Sequence, residues 1–128
     1  MNLLLDTCTF LWIIKDAPEL SERARTAFFE PENNIYLSII SVWEMVIKYQ
    51  MGRLPFPEHP HQFIPRQRDL HRIESLPLNE NSVMQLARLP DHHKDPFDRM
   101  LICQAISEGL TLLTPDTHIT QYPVATLW

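Results

Sequence analysis

Leu3-Leu4-Leu5-Asp6-Thr7 runs three apolar residues together without a polar partner and closes them with a carboxylate and a hydroxyl. A half-exposed strand alternates apolar and polar residues, whereas an unbroken apolar run suits a strand covered on both faces, as in a parallel sheet. The rest of the chain repeats the theme. Helical patterns follow from Thr7 to Ile14 and from Ser21 and Glu22 to just before Pro31, Ile35 to Ser38 is a second short strand, and Ser41 to Met51 is a helix closed by Gly52. Ile73 to Leu76, Thr111 to Thr114 and Val124 to Leu127 read as further strands. Between them lie a helix from Asn79 to Arg88, stopped by Pro90, a strongly apolar helix from Pro96 to Glu108, closed by Gly109, and a short turn or helix through Thr117 and Ile119. Such alternation predicts an open α/β sheet.

With 128 residues, 45% hydrophobic and 21% charged, the chain has the make-up of a globular protein and can bury roughly two thirds of its unfolded surface without disulfides or a structural metal. One domain over residues 1–128 is expected. The Pro-rich segment 53–65 reads as an insertion or connection within it, with a short helix running from His61 toward Leu70. A net charge of −5 disfavours a sequence-blind binder of polyphosphate chains. The charge is uneven, however: residues 48–72 carry a local +3, from Lys48, Arg53, Arg66, Arg68 and Arg72 against Glu58 and Asp69, which leaves −8 elsewhere. Cys8 and Cys103 lie in apolar helical runs without Cys-x-x-Cys spacing, so both read as buried free thiols, in keeping with a reducing cytoplasm. No basic leader and no apolar run near the roughly 18 residues of a membrane span is present, so export and insertion are not expected.

Four acids stand out by where the pattern puts them. In open α/β sheets the working crevice lies beyond the carboxyl ends of the strands. Asp6 follows the first strand and Asp116 follows Thr-Leu-Leu-Thr-Pro, although each also suits an ordinary helix N-cap or turn. Glu44 belongs to Ser41-Val42-Trp43-Glu44, a capping-box pattern in the first turn of its helix, and pairs with Lys48 at i, i+4. In Asp95-Pro96-Phe97-Asp98, Asp95 is the expected N-cap, while Asp98 shares a helical face with Leu101, Ile102 and Ala105 and so turns inward. Two unit charges about 5 Å apart at an effective dielectric of about 20 repel by roughly 3 kcal/mol, so a gathered set of such acids needs either protons or a hard divalent cation. Mg²⁺ or Mn²⁺ suits carboxylate and water oxygens, and phosphodiester hydrolysis is the natural task for that assembly.

Taken in order, Leu3-Leu4-Leu5-Asp6-Thr7, Ser41-Val42-Trp43-Glu44, His93-Lys94-Asp95-Pro96-Phe97-Asp98-Arg99 and Leu112-Leu113-Thr114-Pro115-Asp116 resemble the PIN-domain ribonucleases, in particular the VapC-type toxins of bacterial toxin–antitoxin pairs. The resemblance spans nearly the whole chain. It implies a three-layer α/β/α domain with a mainly parallel sheet of four or five strands, and a Mg²⁺- or Mn²⁺-dependent endoribonuclease with Asp6, Glu44, Asp98 and Asp116 as its acidic quartet. It further implies metal held mainly by Asp6, Asp98 and Asp116, with Glu44 acting directly or through water and Thr7 and Thr114 bonding to carboxylates or bound waters. An RNA substrate, a cognate antitoxin placing a basic side chain among the acids, a homodimer and a cytoplasmic setting come with it. Cys8 departs from the family, which often has a small polar residue or His there, and the Pro-rich stretch after Gly52 matches no family motif.

Other residues carry weaker signals. The basic residues of 48–72 suit steering of an RNA backbone, with Tyr49, Phe56 or Phe63 beside them for base stacking. Trp12 and Trp43 read as core or interface aromatics. His92 and His93 lack a zinc-protease spacing and serve best to hold the loop before Asp98, and Arg99 suits a pairing with Glu44 or another crevice carboxylate, or a plain surface bridge. A haloacid-dehalogenase-like phosphatase needs a second Asp where Cys8 stands. The non-enzymatic alternative is a PIN-like module that binds RNA or a partner without cutting, against which the full set of four acids argues.

Overall fold

A computed structural model describes residues 1–128. Five strands, β1 (Asn2–Leu5), β2 (Asn34–Ser38), β3 (Glu74–Leu76), β4 (Thr111–Leu113) and β5 (Thr126–Leu127), form one all-parallel sheet in the order β3-β2-β1-β4-β5. Seven helices connect them: α1 (Thr7–Lys15), α2 (Glu22–Phe29), α3 (Ile39–Gln50), α4 (Pro60–Leu70), α5 (Glu80–Gln85), α6 (Pro96–Glu108) and α7 (Thr117–Thr120). The helix expected over 79–88 is shorter, because its last turn, Leu86–Arg88, tightens into a 3-10 helix. No helix is long and apolar enough to cross a membrane.

The unbroken apolar run of β1 is explained by its place between β2 and β4. Leu3 and Leu5 face a cluster with Phe10, Ile13, Ala24, Phe28 and Met45, while Leu4 faces the opposite way into a cluster with Leu101, Ile102, Cys103, Ile119 and Tyr122. All three leucines are fully buried, each stabilising the fold by about 1.5–3 kcal/mol. Successive side chains on a strand alternate faces, so one short run anchors both helical layers of the expected α/β/α arrangement.

The sheet grows in two directions from β1. From β1 the chain adds β2 and β3 on one side, and then returns to place β4 and β5 on the other. Because parallel crossovers are right-handed, reversing the direction of growth moves the connecting helices to the opposite face. In agreement, α1, α2 and α4 supply the first cluster and α6 and α7 the second. Between β1 and β4 the connections diverge, which opens a crevice at the carboxyl ends of these strands.

The Pro-rich segment 53–65 is only partly a connection. Residues 60–65 are the first half of α4, opened by Pro60 at its first turn, and Phe63 and Ile64 are buried in the core beneath it. Phe56 stacks on Phe63 at 4.8 Å and on Tyr49 at 6.0 Å, so these rings fasten α3, the Pro-rich connection and α4 to one another. Phe63, being buried, is not open to base stacking, while Tyr49 and Phe56 stay partly exposed.

Candidate active site

Asp6 leaves β1 directly into the crevice and caps α1. Its Oδ1 accepts the Thr9 backbone N–H at 2.7 Å, and its Oδ2 accepts the Thr114 hydroxyl at 2.5 Å. Thr114, fully buried just past β4, accepts in turn the backbone N–H of Asp116 at 3.1 Å. One hydroxyl therefore sets the relative placement of two acids from opposite ends of the chain. Asp116 also caps α7 through His118 N–H at 2.9 Å. The Thr9 hydroxyl donates to the Leu113 carbonyl at 2.8 Å, tying α1 to the end of β4. Both duties considered for Asp6 and Asp116 are met at once: each is an N-cap, and each stands at the strand-end rim.

Glu44 reaches the same rim by another route than its sequence pattern suggests. The helix begins at Ile39 with Ser38 as N-cap, accepting Ile40 N–H at 3.0 Å, so Ser41 and Glu44 form no capping box and Glu44 lies beyond the first turn. Ser38 wins because the strand passes into the helix without a loop, and its hydroxyl is the first able to meet a free amide. It also donates to Gln104 on α6. Buried Glu44 instead accepts the Thr7 hydroxyl at 2.6 Å and Lys48 Nζ at 2.5 Å, the latter being the expected i, i+4 pair. Thr7 is also 3.0 Å from the Ser41 hydroxyl. Burial works against the Lys48 ammonium, but hydrogen bonding and attraction from Glu44 outweigh it and hold its pKa above the ordinary value.

Asp95 and Asp98 divide their duties as expected. Asp95 Oδ1 accepts both Phe97 N–H and Asp98 N–H at 2.9 Å and so caps α6, leaving the Asp98 carboxylate free to face the crevice. Its one side-chain hydrogen-bond partner is His93, whose Nε2 lies 3.3 Å from Oδ2. Arg99 pairs with no crevice acid and follows the other of its two readings, a plain surface bridge. It donates to the Pro90 carbonyl at 2.8 Å and the Tyr122 hydroxyl at 2.9 Å, with exposed Asp91 3.8 Å away, because its place on α6 turns it toward the 90–93 loop. His93 does hold that loop, through Tyr122.

The acids also act on one another at longer range. Burial is the main force raising the Asp6 pKa; Thr114 and Thr9 counter it through hydrogen bonds, and Asp116 adds to it by repulsion. Burial likewise pushes Asp98 up to about 6, helped by repulsion from Asp95, Asp116 and Glu44 and opposed by the His93 hydrogen bond. Cys8 proves to be exposed rather than buried, although Cys103 is buried. The Cys8 thiol is pushed up to about 11, first by its partial desolvation and then by Asp6 and Glu44, so it is a poor nucleophile at neutral pH.

No three His, Cys, Asp or Glu side chains close around a common point as a ready-made ligand set. The donor chemistry nevertheless fits a hard cation: Asp6 and Asp98 are both strained toward protonation by burial and by neighbouring acids, which is the condition a divalent ion relieves. Mg²⁺ keeps several of its waters and needs only one or two carboxylates in direct contact, so an open rim of acids suits it better than a closed cage.

Tyr122 and Thr9 belong to this neighbourhood and had no signal in the sequence, since each is joined to the site by contacts across the fold; Ser41 was flagged as a cap but lies beside Thr7 instead. The PIN domain family model matches residues 3–125. Ribonuclease VapC16 of Mycobacterium tuberculosis is 29% identical over 111 residues, covering 87% of this chain and 74% of that protein. VapBC2 from Rickettsia felis, bound to a DNA fragment from its promoter, aligns with a TM-score of 0.73 at 17% identity over 99% of this chain and 98% of that one. VapBC-1 from nontypeable Haemophilus influenzae aligns with a TM-score of 0.66 at 20% identity over 99% and 97%. At these identities the structural likeness is one of fold.

Proposed function

The chain belongs to the PIN domain family, and on that footing we propose that it is a metal-dependent endoribonuclease acting on RNA phosphodiester bonds and the toxin of a toxin–antitoxin pair. The observation that carries the proposal is the joining of Asp6 and Asp116 through Thr114 at the switch point of the sheet, with Asp98 close enough to feel repulsion from Asp116 and Glu44. Residues 1–128 are taken as a single domain, since both apolar clusters grow from the two faces of one sheet.

Asp6, Asp98 and Asp116 are assigned to hold Mg²⁺ or Mn²⁺. When bound, such an ion supplies Lewis-acid polarisation of the phosphodiester and a more acidic attacking water. Glu44, held at one oxygen by Thr7 and at the other by Lys48, takes up the proton released in the attack, directly or through water. Thr114 keeps Asp6 oriented and Thr7 does the same for Glu44. Lys48, nearly half exposed, adds positive charge at a rim that would otherwise repel phosphate.

A cognate antitoxin placing a basic side chain among these acids suits the crevice electrostatically, and the fold relatives include VapBC complexes. A homodimer and a cytoplasmic setting, where free Cys8 and Cys103 stay reduced, complete the proposal. The decisive experiment follows a labelled RNA with the purified chain. EDTA is expected to abolish cleavage and leave RNA binding intact, and Asp6→Asn to fold normally without cutting in Mg²⁺ or Mn²⁺. Cleavage that persists in EDTA or in that variant refutes the assignment, and binding without cleavage under every condition points to the non-catalytic module.

A further inference from the structure

We propose that Tyr122 fixes the tautomer of His93, and that His93 so fixed positions Asp98. The phenol oxygen, on a residue only 3% exposed, receives three N–H donors: His92 N at 3.2 Å, His93 N at 3.0 Å and Arg99 Nη1 at 2.9 Å. Peptide and guanidinium N–H groups only donate, so none of these bonds can be reversed. The two shorter contacts fill both lone pairs of the oxygen, the 3.2 Å contact from His92 shares them, and the oxygen's own hydrogen must go to an acceptor. Two are in reach, His93 Nδ1 at 2.8 Å and the His93 carbonyl at 3.5 Å, and the second is at the limit of a hydrogen bond. Nδ1 is therefore the bare nitrogen of the ring, and the hydrogen sits on Nε2.

Nε2 is the atom facing Asp98 Oδ2 at 3.3 Å, and no other side chain bonds to that carboxylate. The ring cannot readily turn away, because His118 stacks on it with 5.6 Å between centroids and 4° between planes. A chain of contacts thus runs from Arg99 through Tyr122 and His93 to Asp98, with every donor direction set by its first two members. His93 is a positioning residue: it orients one oxygen of Asp98 and leaves the other toward the crevice. The tautomer stands on the hydrogen-bond geometry alone; its consequence for metal binding rests on the proposed role of Asp98.

Long-range ¹H–¹⁵N correlation spectra of the metal-free full chain test the first half, since the two ring nitrogens report which of them carries the hydrogen. Wild type is expected to show the Nε2–H form, and Tyr122→Phe to lose that preference. An Nδ1–H form, or a ring unaffected by Tyr122→Phe, overturns the assignment. Because Tyr122→Phe also strands three donors, a second pair isolates the ring: His93→Gln presents an amide N–H near the reach of Nε2, and His93→Asn only near that of Nδ1. By calorimetric titration with Mn²⁺, His93→Gln should bind close to wild type and His93→Asn about 10–100-fold more weakly. Equal affinity in the two variants overturns the positioning role. A wild-type chain that shows the Nε2–H form yet binds no Mn²⁺ removes the metal role of Asp98, and with it the consequence drawn here.

Discussion

Replacing Asp98 by Asn should make the metal-free protein more stable while silencing it. The carboxyl ionises at about 6 in the folded protein against the ordinary 3.8, so the folded chain holds this proton more tightly than the unfolded chain does. Below pH 3.8 both states are protonated and Asp98 costs nothing. As pH rises from there to 6, the unfolded state ionises first and stability falls; above 6 the penalty is complete. The gap corresponds to about 3 kcal/mol, which screening at a side chain about 20% exposed reduces to roughly 1–2 kcal/mol. Asn is neutral throughout and escapes the penalty. Urea unfolding followed by tryptophan fluorescence in EDTA should therefore place Asp98→Asn above wild type by roughly 1–2 kcal/mol at pH 7.5, with the difference vanishing below pH 4. Saturating Mg²⁺ should reverse the order, because only wild type gains from binding. A variant less stable than wild type at pH 7.5, or a difference independent of pH, refutes the reasoning.

Thr114→Val removes the donor to buried Asp6 and the acceptor for Asp116 N–H, and should cost about 1–3 kcal/mol in chemical unfolding while weakening Mn²⁺ binding measured by calorimetry. Charge reversal at Arg66, Arg68 and Arg72 should weaken RNA binding and flatten the plot of log affinity against log salt by roughly 2 if all three meet phosphates of a single strand; an unchanged slope retires the steering role. Leu112→Ala, at a fully buried position of β4, should lower unfolding stability by about 2–5 kcal/mol.

The acids at strand ends were legible because both strand and carboxylate are local: an apolar run followed by Asp states where the strand stops. Helix α6 was legible to the residue, since Asp95-Pro96 at one end and Gly109 at the other leave no competing boundary. Two serines, Ser38 and Ser41, compete at the start of α3, and pattern alone favoured Ser41 although Ser38 is the cap. The arrangement around Tyr122 was illegible for a different reason. It joins Tyr122 to residues 23 to 30 positions away, and its meaning lies in how many donors meet on one oxygen, a property no spacing records.

The bond between Thr114 and Asp6 spans 108 residues, and β4 is the fourth strand to be synthesised though it lies beside the first. A nascent polypeptide that has not yet reached Thr114 lacks it, and with it the pairing of Asp6 and Asp116. The same holds for any fragment cut short before residue 111. Under the proposed assignment, a chain halted before Thr114 carries Asp6, Glu44 and Asp98 without the strand that draws the fourth acid beside them.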